Sequence, residues 1–395
     1  MSNIITHSRL PFLLSPLVLT LASCGHASTG ESGKDAATAA SEDVTPAMVE
    51  AFDSEHVASF DNPWAIEFEP GTGRLFIMHR DGKMSFRWPD GRTGKVSGAP
   101  EVDYGGQGGL GDLVFAPDYE TSGKVYLSWV ENGGGRNRGA VVGKAKLACE
   151  SEAACKLEDL RKIWEQTPKM TGQGHYSHRL ALSPDGKHLF VTSGERQAQE
   201  PAQDNGNNLG TVVRLDLDGK PSAGNPFAGQ KSPTDQIWSY GHRNALGIAF
   251  GADGRLWAVE HGPAGGDELN LIEKGRNYGW PLVSDGTQYG GAPIPSPTTR
   301  PGLAIAAVSW TPVIAPSDMI IYEGDLFNGW QGDALITGLK SRALIRVKID
   351  GDSAKEIARY PLGDRIRSIA EASDGAIWVI EEGQDAHLLR LTPKK

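Results

Sequence analysis

Cysteine is scarce in this chain, and cations are outnumbered by anions. The 395 residues include 3 cysteines, and 39 Lys and Arg stand against 49 Asp and Glu, for a formal net charge of −10. Phosphate binding requires clustered cations, so this balance argues against a nucleic-acid partner. Glycine is abundant instead, with 50 residues, which suits many tight turns rather than long helices.

The apolar run near the N-terminus is too short to cross a membrane as a helix. It follows Arg9 and extends from Leu10 to Leu21, whereas a spanning helix requires about 20 apolar residues. We therefore predict a signal peptide over residues 1–23. The run ends in Leu-Ala-Ser-Cys24, which resembles the lipobox of bacterial lipoproteins. Cys24 is then a lipidation site that anchors an exported protein at the periplasm or cell surface, and an incidental cysteine after an ordinary signal is the alternative.

The segment after this cysteine, residues 24–48, is rich in Ala, Ser, Gly and Thr and is predicted to be a flexible tether. The two remaining cysteines, Cys149 and Cys155, lie close together in the sequence. In an exported protein both thiols meet oxidising conditions, which favours a local disulfide that closes a loop. A metal or redox role for the pair is the alternative.

An imperfect repeat runs through the rest of the chain. Each copy has an apolar stretch, a turn with Pro, Asp or Gly, and a second apolar stretch, and the six copies begin near Ala65, Leu113, Leu180, Ile248, Met319 and Ile369. Such copies are typical of β-hairpins, and periods of roughly 45 to 70 residues suit propeller blades better than helical solenoids. We predict an all-β fold over residues 49–395, a six-bladed β-propeller with four-stranded antiparallel blades.

A pair of β-sandwiches is the alternative, because turn spacing alone does not separate stacked sheets from radial ones. In a propeller, the strand near Phe52–Val57 is expected to close the ring by pairing with Leu388–Leu391. Closure would also gather at one mouth the polar residues that come just before or at the start of a repeat copy, namely Gln107, His175, Arg243, Arg365 and Arg367.

The arginines in this set indicate a ligand with several carboxylates. Arg243, Arg365 and Arg367 would repel one another at a common mouth unless a polyanion lay between them, and Arg pairs with carboxylates through two parallel hydrogen bonds. Pairing of each Arg with a local acid such as Asp364 is the alternative.

The segment Glu-His-Gly-Pro-Ala-Gly-Gly-Asp-Glu-Leu-Asn, residues 260–270, is the most informative stretch of the chain. The carbonyls of Gly262 and Pro263 are available to a hard cation, and the carboxylates of Asp267 and Glu268 follow directly. Calcium takes six to eight oxygen ligands of these kinds. A Gly-Pro pair beside acids is otherwise typical of a turn.

The block from Gly241 to Pro281 contains this segment, begins with Gly-His-Arg-Asn and ends with Asn-Tyr-Gly-Trp-Pro. It resembles the core of the soluble quinoprotein glucose and aldose sugar dehydrogenases, and the resemblance extends over residues 50–393. It implies two cofactors, calcium and pyrroloquinoline quinone (PQQ), which is a planar tricarboxylate. It also implies oxidation of the anomeric C1 hydroxyl of aldoses to lactones, with the electrons passing to an external acceptor.

The resemblance also implies roles for individual residues. His175 matches the catalytic base, with Glu195 as its orienting carboxylate, and imidazole suits the task because its ordinary pKa of about 6.5 leaves it mostly neutral. Arg243 belongs to both the catalytic and the quinone-binding set. The residues that would bind the quinone are Arg243, Asn244, Lys340, Arg365 and Arg367.

The calcium that touches the quinone would be bound by the carbonyls of Gly262 and Pro263. Glu268, with the carbonyl of Tyr278, resembles a second calcium site, and Asp267 is a weaker candidate. Gln107 matches a position on the sugar side of the pocket, and Trp310 matches a position where the family places an aromatic residue near the substrate or the quinone.

Two other functions fit a propeller of this kind, since fold does not fix function. A calcium-dependent lactonase or other hydrolase would need no quinone and would have little use for three convergent arginines. A non-catalytic surface-binding propeller is the other alternative, and it is opposed by the presence of His175, Arg243, Arg365 and Arg367. A transition-metal site built from His175, His178, His242 and His261 lacks ligand spacing.

Overall fold

The computed structural model of this chain describes residues 51–394. The predicted signal peptide, the lipidation site at Cys24 and the predicted tether all lie outside the described residues. Among the residues that the structure describes, no helix combines the length and the apolar character that a membrane span requires.

Twenty-four strands and a few short helical turns form the secondary structure of this range. The first twelve strands are β1 (Phe52–Phe60), β2 (Pro63–Phe68), β3 (Leu75–His79), β4 (Met84–Arg87), β5 (Thr93–Ser97), β6 (Leu110–Phe115), β7 (Lys124–Asn132), β8 (Arg138–Ser151), β9 (Ala154–Glu165), β10 (Ser177–Leu182), β11 (His188–Ser193) and β12 (Thr211–Asp216). One short helix, α1 (Tyr119–Ser122), and a 3-10 turn at Glu200–Gln203 interrupt them.

The remaining strands follow the same pattern of short segments. They are β13 (Ile237–Tyr240), β14 (Ala245–Phe250), β15 (Leu256–Glu260), β16 (Asp267–Leu271), β17 (Val308–Trp310), β18 (Pro316–Ile321), β19 (Ala334–Gly338), β20 (Ala343–Asp350), β21 (Ser353–Pro361), β22 (Ile366–Glu371), β23 (Ile377–Glu381) and β24 (Ala386–Pro393). Two more 3-10 turns lie at Thr234–Gln236 and Pro297–Thr299.

Within each group of four strands, consecutive strands pair as antiparallel neighbours. Three sheets contain β10 to β13, β14 to β17 and β18 to β21, each in sequence order. The groups β2 to β5 and β6 to β9 are joined into one eight-stranded sheet because β5 pairs with β9 in parallel. The last sheet has the order β1-β24-β23-β22 and so contains both ends of the described chain.

The predicted closure is confirmed in this last sheet. Strand β1 pairs antiparallel with β24, and Ser54 lies opposite Leu391 while His56 lies opposite Leu389. An N-terminal strand that completes the C-terminal sheet removes two unpaired strand edges at once. The hydrogen bonds of this sheet therefore hold the two ends of the described range together.

The sheets are arranged in a ring. Strands β2, β6, β10, β14, β18 and β22 contact one another in that order, and β22 contacts β2. The apolar core is divided into clusters between neighbouring sheets, and the cluster that closes the ring packs Ile66 and Ile77 against Trp378 and Ile380. The fold is therefore an all-β propeller, since two stacked sandwiches would not join the first sheet to the last in this way.

Asp-Gly pairs make the hairpin turns that the repeat predicts. In three copies the Asp carboxylate accepts the backbone N–H two residues later, at 3.1 Å for Asp185, 2.9 Å for Asp253 and 3.0 Å for Asp374. The glycine that follows each Asp has a φ between 67° and 80°, a conformation that glycine adopts without a steric penalty. Local sequence therefore sets the reversal between the first and second strands of these copies.

The predicted disulfide is confirmed. Cys149 and Cys155 are bonded to each other and lie directly opposite one another on β8 and β9. The bond ties the β8–β9 hairpin next to the buried Arg74.

Candidate active site

One end of the ring collects the polar residues that the sequence predicts to converge. In each hairpin the start of the first strand lies opposite the end of the second, as Ser177 lies opposite Ser193 and Ala245 opposite Glu260. Residues that precede the first strands and residues that follow the second strands therefore meet at the same end. We call this end, where β10, β14 and β22 begin, the mouth.

His175 and Glu195 form a buried pair at the mouth. The Nδ1 atom of His175 lies 2.5 Å from Oε1 of Glu195, and the other carboxylate oxygen accepts the backbone N–H of Gln199 at 2.8 Å. The backbone N–H of His175 donates to Oε1 of Gln107 at 2.7 Å. Because Nδ1 faces the carboxylate, Nε2 is the ring nitrogen that can accept a proton from a ligand.

The two segments that carry this pair adopt unusual backbone conformations. Positive φ values occur at His175 (49°), Ser177 (57°) and His178 (62°), and on the facing segment at Arg196 (62°), Gln197 (61°) and Gln199 (63°). Such conformations cost about 1–3 kcal/mol each and cluster at functional sites. Gly194 permits the close approach, since a Cβ there would lie 2.1 Å from the carbonyl oxygen of His175. The backbone is strained where His175 meets Glu195.

The surroundings of His175 keep its imidazole neutral. Burial lowers the pKa of His175 below its ordinary value, and the positive charges of Arg243 and Arg196 lower it further, while Glu195 acts in the opposite direction. A neutral imidazole is the form that accepts a proton.

Arg243 is fixed by its backbone and leaves part of its guanidinium without a partner. Its N–H donates to Oε2 of Glu260 at 2.7 Å, and its guanidinium donates to the carbonyl of His261 at 3.3 Å and to the hydroxyl of Tyr289 at 3.0 Å. The Nε atom is buried and has no hydrogen-bond partner among the described residues.

Asn244, the next residue, ties β14 to β10. Its side-chain oxygen accepts both the backbone N–H and the hydroxyl of Ser177, at 3.2 Å and 3.1 Å. These hydrogen bonds connect the loop of His175 to the loop of Arg243.

Arg365 and Arg367 share one carboxylate that the sequence analysis did not identify. The guanidiniums of both donate to Glu382, at 2.5 Å from Arg365, whereas Asp364 accepts the backbone N–H of Arg365. Arg367 is buried and also lies 4.3 Å from the ring of Trp64. Burial, and then the positive charges of Arg179, Arg80 and Arg365, hold the pKa of Arg367 well below its usual range.

The effects of Arg243, His175 and Arg367 on the pKa of His261 indicate that these side chains lie in the same part of the mouth. Burial lowers the pKa of His261 to about 3, and the charges of Arg243, His175 and Arg367 act in the same direction. The Nε atoms of Arg243 and Arg367 and the Nε2 atom of His261 are buried without partners in the described part of the chain. The unpaired guanidinium N–H groups of Arg243 and Arg367 fit a ligand with several carboxylates.

Lys340 is exposed in the turn between β19 and β20. Its backbone N–H donates to the carbonyl of Ile314 at 3.1 Å. The turn lies at the mouth, because Gly338 at the end of β19 pairs with Pro316 at the start of β18.

The backbone at Gly262 is folded tightly around Asp267. One carboxylate oxygen of Asp267 accepts the N–H of Gly262 at 2.8 Å, and the other accepts the N–H of Ala315 at 2.7 Å. A Cβ at Gly262 would lie 2.2 Å from the carbonyl oxygens of Gly265 and Gly266. Burial raises the pKa of Asp267 to about 6 even though it accepts these hydrogen bonds. Asp267 therefore supports the Gly-Pro segment through the backbone.

Glu268 and Tyr278 line one small cavity together with Gly262, Arg243 and Glu260. Burial raises the pKa of Glu268 to about 8, and the nearby carboxylate of Glu260 adds to this rise. A cation in the cavity would favour the ionised carboxylate. Within residues 51–394, no group of three or more His, Cys, Asp or Glu side chains is arranged to hold a metal. A cation here would depend on backbone carbonyl oxygens.

Trp310 lies in the core rather than beside His175. It is 6% exposed, it packs against Ile314 and Met319, and its indole N–H donates to Glu356 at 2.6 Å. Its role on the sugar side stays a prediction.

Glu260 and Glu382 are two carboxylates of the candidate site to which the sequence analysis assigned no role. Glu260 accepts from Arg243 and also lies 2.8 Å from Nδ1 of the buried His242. Both acids come at the end of the second apolar stretch of their copy, as Glu195 also does. An acid repeated at this place in three copies is the signal that could have identified them.

Comparison with known proteins agrees with this architecture. The model of the Glucose / Sorbosone dehydrogenase family matches residues 60–390. The aldose sugar dehydrogenase YliI of Escherichia coli (strain K12) is 36% identical over 342 residues, which are 85% of this chain and 91% of that protein. Two solved structures are similar over the whole propeller.

The soluble aldose sugar dehydrogenase of Escherichia coli, in its apo form, has a TM-score of 0.82 at 35% identity and covers 87% of this chain and 100% of its own. The PQQ-bound aldose sugar dehydrogenase of Streptomyces coelicolor has a TM-score of 0.71 at 26% identity and covers 89% of this chain and 100% of its own. Since the family model extends from β1 into β24 and the relatives align over nearly their whole length, this chain belongs to the glucose/sorbosone dehydrogenase family.

Proposed function

We propose that this protein is a PQQ- and calcium-dependent dehydrogenase that oxidises the anomeric C1 hydroxyl of aldose sugars to lactones. The observation that carries the proposal is the buried His175–Glu195 pair, which lies close enough to Arg243 for that charge to lower the pKa of His175. The Escherichia coli relative is named for aldose sugars, and the Streptomyces coelicolor relative was solved with PQQ bound.

In this proposal the strands form six blades of four strands each over residues 49–395. The circular contacts of the six first strands and the β1–β24 pairing support this count. Residues 1–23 would be removed as a signal peptide, and residues 24–48 would tether the propeller to a lipid on Cys24. The enzyme would then face the periplasm or the cell surface.

The quinone would be held at the mouth by Arg243, Asn244, Lys340, Arg365 and Arg367. The Nε atoms of Arg243 and Arg367, which have no partner within residues 51–394, support this assignment, because a buried guanidinium N–H without an acceptor is poorly stabilised. When bound, the quinone supplies the two-electron oxidant that takes the hydride from C1.

His175 would act as the general base. Its Nε2 atom would hold the proton of the C1 hydroxyl, while the carboxylate of Glu195 fixes the ring and stabilises the charge that develops on it. Gln107, which accepts the N–H of His175, would line the sugar side, and Trp310 is the weaker substrate candidate. Arg243 would stabilise negative charge that develops on an oxygen atom during the reaction.

Calcium would be bound by the carbonyl oxygens of Gly262 and Pro263, next to the quinone. A second calcium would be bound by Glu268 and the carbonyl of Tyr278. The fold of Gly262 around Asp267 and the shared cavity support both sites.

The pH dependence of kcat/KM for the holoenzyme should show that His175 acts in its neutral form. Because burial lowers the pKa of His175, kcat/KM should fall only below about pH 6.5, the ordinary imidazole pKa. Glu195 raises the pKa of His175, so Glu195→Gln should move this acid limb to lower pH. Initial rates from pH 4 to pH 9 with a saturating dye acceptor test both statements, and an acid limb centred above pH 7 in the wild type would contradict them.

Reconstitution tests the function itself. The metal-free protein is mixed with calcium, with PQQ, with both or with neither, and dye reduction is followed after addition of glucose, maltose or xylose. Activity should require both cofactors. Hydrolysis of a lactone in the absence of PQQ would instead support a lactonase, and PQQ-independent sugar binding without turnover would support a binding propeller.

A further inference from the structure

Arg80 lies at the mouth, directly after β3, and contacts both sides of the Gln107 loop. Its Nη2 atom donates to the carbonyl of Gly106 and, at 3.3 Å, to the carbonyl of Gly108. The carbonyl of Arg80 accepts the N–H of Leu110 at 3.1 Å, where β6 begins. The contacts of this one residue enclose the loop of residues 105–110.

The loop needs such support because its own sequence gives it little rigidity. Four of its six residues are glycine, and Gly106 and Gly109 have φ values of 55° and 138°. Glycine is the most mobile residue in an unfolded or unsupported segment. Gly106 is also packed tightly, since a Cβ there would lie 2.4 Å from the carbonyl oxygen of Gln173.

Gln107 connects this loop to His175. Its backbone N–H donates to the carbonyl of Gln173 at 2.8 Å, and its side-chain oxygen accepts the backbone N–H of His175 at 2.7 Å. Any displacement of the loop therefore acts on the backbone of His175.

Aromatic rings hold the guanidinium of Arg80 in place. It lies 5.5 Å from the ring centre of Trp64 and 5.3 Å from that of Tyr104. Trp64 is buried and also lies 4.3 Å from Arg367. Arg80 is therefore placed between the loop on the sugar side and the arginines on the quinone side.

We propose that Arg80 is a positioning residue, which holds Gln107 against the backbone of His175 through the carbonyls of Gly106 and Gly108 and so fixes the base. This inference rests on the proposed function for its effect on catalysis. The contact of Arg80 with the loop can be tested without any activity.

The test compares Arg80→Met, Gln107→Ala and the double variant, each reconstituted with calcium and PQQ. Met keeps a long side chain between the rings but donates no hydrogen bond. Each single change should lower kcat/KM by about 10- to 100-fold, as expected for a displaced catalytic group. The kcat/KM of the double variant should lie within about threefold of that of the less active single variant, because both changes break the same connection.

The conservative variant and a matched control separate positioning from general damage. Arg80→Lys keeps a charged donor. Its loss in log(kcat/KM) relative to the wild type should be at most about two thirds of the loss in Arg80→Met. Arg87→Met removes another Arg that lies over a tryptophan, Trp378 at 5.9 Å, away from the mouth, and should leave the rate unchanged. If the fold-loss of kcat/KM in the double variant equals the product of the two single-variant losses, the proposal is overturned.

A second readout does not depend on turnover. Hydrogen–deuterium exchange of the protein without substrate should increase in residues 105–110 and at the His175 amide in Arg80→Met, but not in Arg87→Met. Unchanged exchange in these segments would overturn the positioning role even if the enzyme is active. If the wild type oxidises no aldose while exchange still increases, the proposed function fails and the contact between Arg80 and the loop stands.

Discussion

Replacement of His175 by alanine is expected to lower kcat for aldose oxidation by about 10²- to 10⁴-fold, the contribution of a positioned general base. The reason is the geometry of the pair, because Glu195 lies 2.5 Å from Nδ1 and leaves Nε2 for the proton of the substrate. Steady-state kinetics with the reconstituted holoenzyme measure the loss. A PQQ titration of the same variant should give nearly the wild-type affinity, since no predicted quinone ligand is removed.

Two variants control this result. Glu195→Gln keeps a hydrogen-bonding side chain and should lose less activity than His175→Ala. His188→Ala removes a half-buried histidine that contacts Ser222 at 2.9 Å in another part of the same sheet, and it should retain wild-type kcat. A His175→Ala enzyme with more than about half of the wild-type kcat would refute the role of His175 as base.

Replacement of Arg367 by alanine is expected to weaken PQQ binding by about 10- to 150-fold, which corresponds to the loss of a charge-assisted hydrogen bond worth about 1.5–3 kcal/mol. Arg367 is buried, its Nε atom has no partner in the described part of the chain, and the positive charges of Arg80, Arg179 and Arg365 act on it. An anionic ligand relieves this repulsion, so the affinity depends strongly on each guanidinium. Equilibrium titration followed by quinone absorbance gives the dissociation constant.

Arg367→Lys and Arg390→Ala are the matched controls for this prediction. Lys keeps the charge but cannot form two parallel hydrogen bonds with a carboxylate, so it should recover only part of the affinity. Arg390, on strand β24, pairs with Asp374 at 2.7 Å, and its loss should not alter quinone binding. An unchanged dissociation constant in Arg367→Ala would remove Arg367 from the quinone site.

The local features of the fold could be predicted because short segments determine them. Asp185-Gly186 and Asp374-Gly375 form their turns through a carboxylate–backbone bond that involves only neighbouring residues. The disulfide of Cys149 and Cys155 joins residues on one hairpin. Pairing of β1 with β24 could also be predicted, because a closed ring requires the first and last strands to meet.

The partners of the arginines could not be predicted in this way. Asp364 is the nearest acid in the sequence, yet Glu382 binds the guanidiniums of Arg365 and Arg367 because the end of β23 lies beside the start of β22. The contact made by the side chain of Trp310 could not be predicted from the sequence either. Its indole points to Glu356 on β21, a contact that depends on how two sheets pack.

The sequence by itself determined the hairpins, the repeat, the disulfide and the types of side chain available for chemistry, since these depend on residues close together in the chain. Only the tertiary structure decided which of these side chains meet. His175, Arg243 and Arg367 lie at the starts of three strands in three different sheets, and the charges of all three lower the pKa of His261 because a ring brings the starts of distant strands to one mouth. Coulomb energy depends on distance in space and on burial, and neither quantity can be read from separation along the chain.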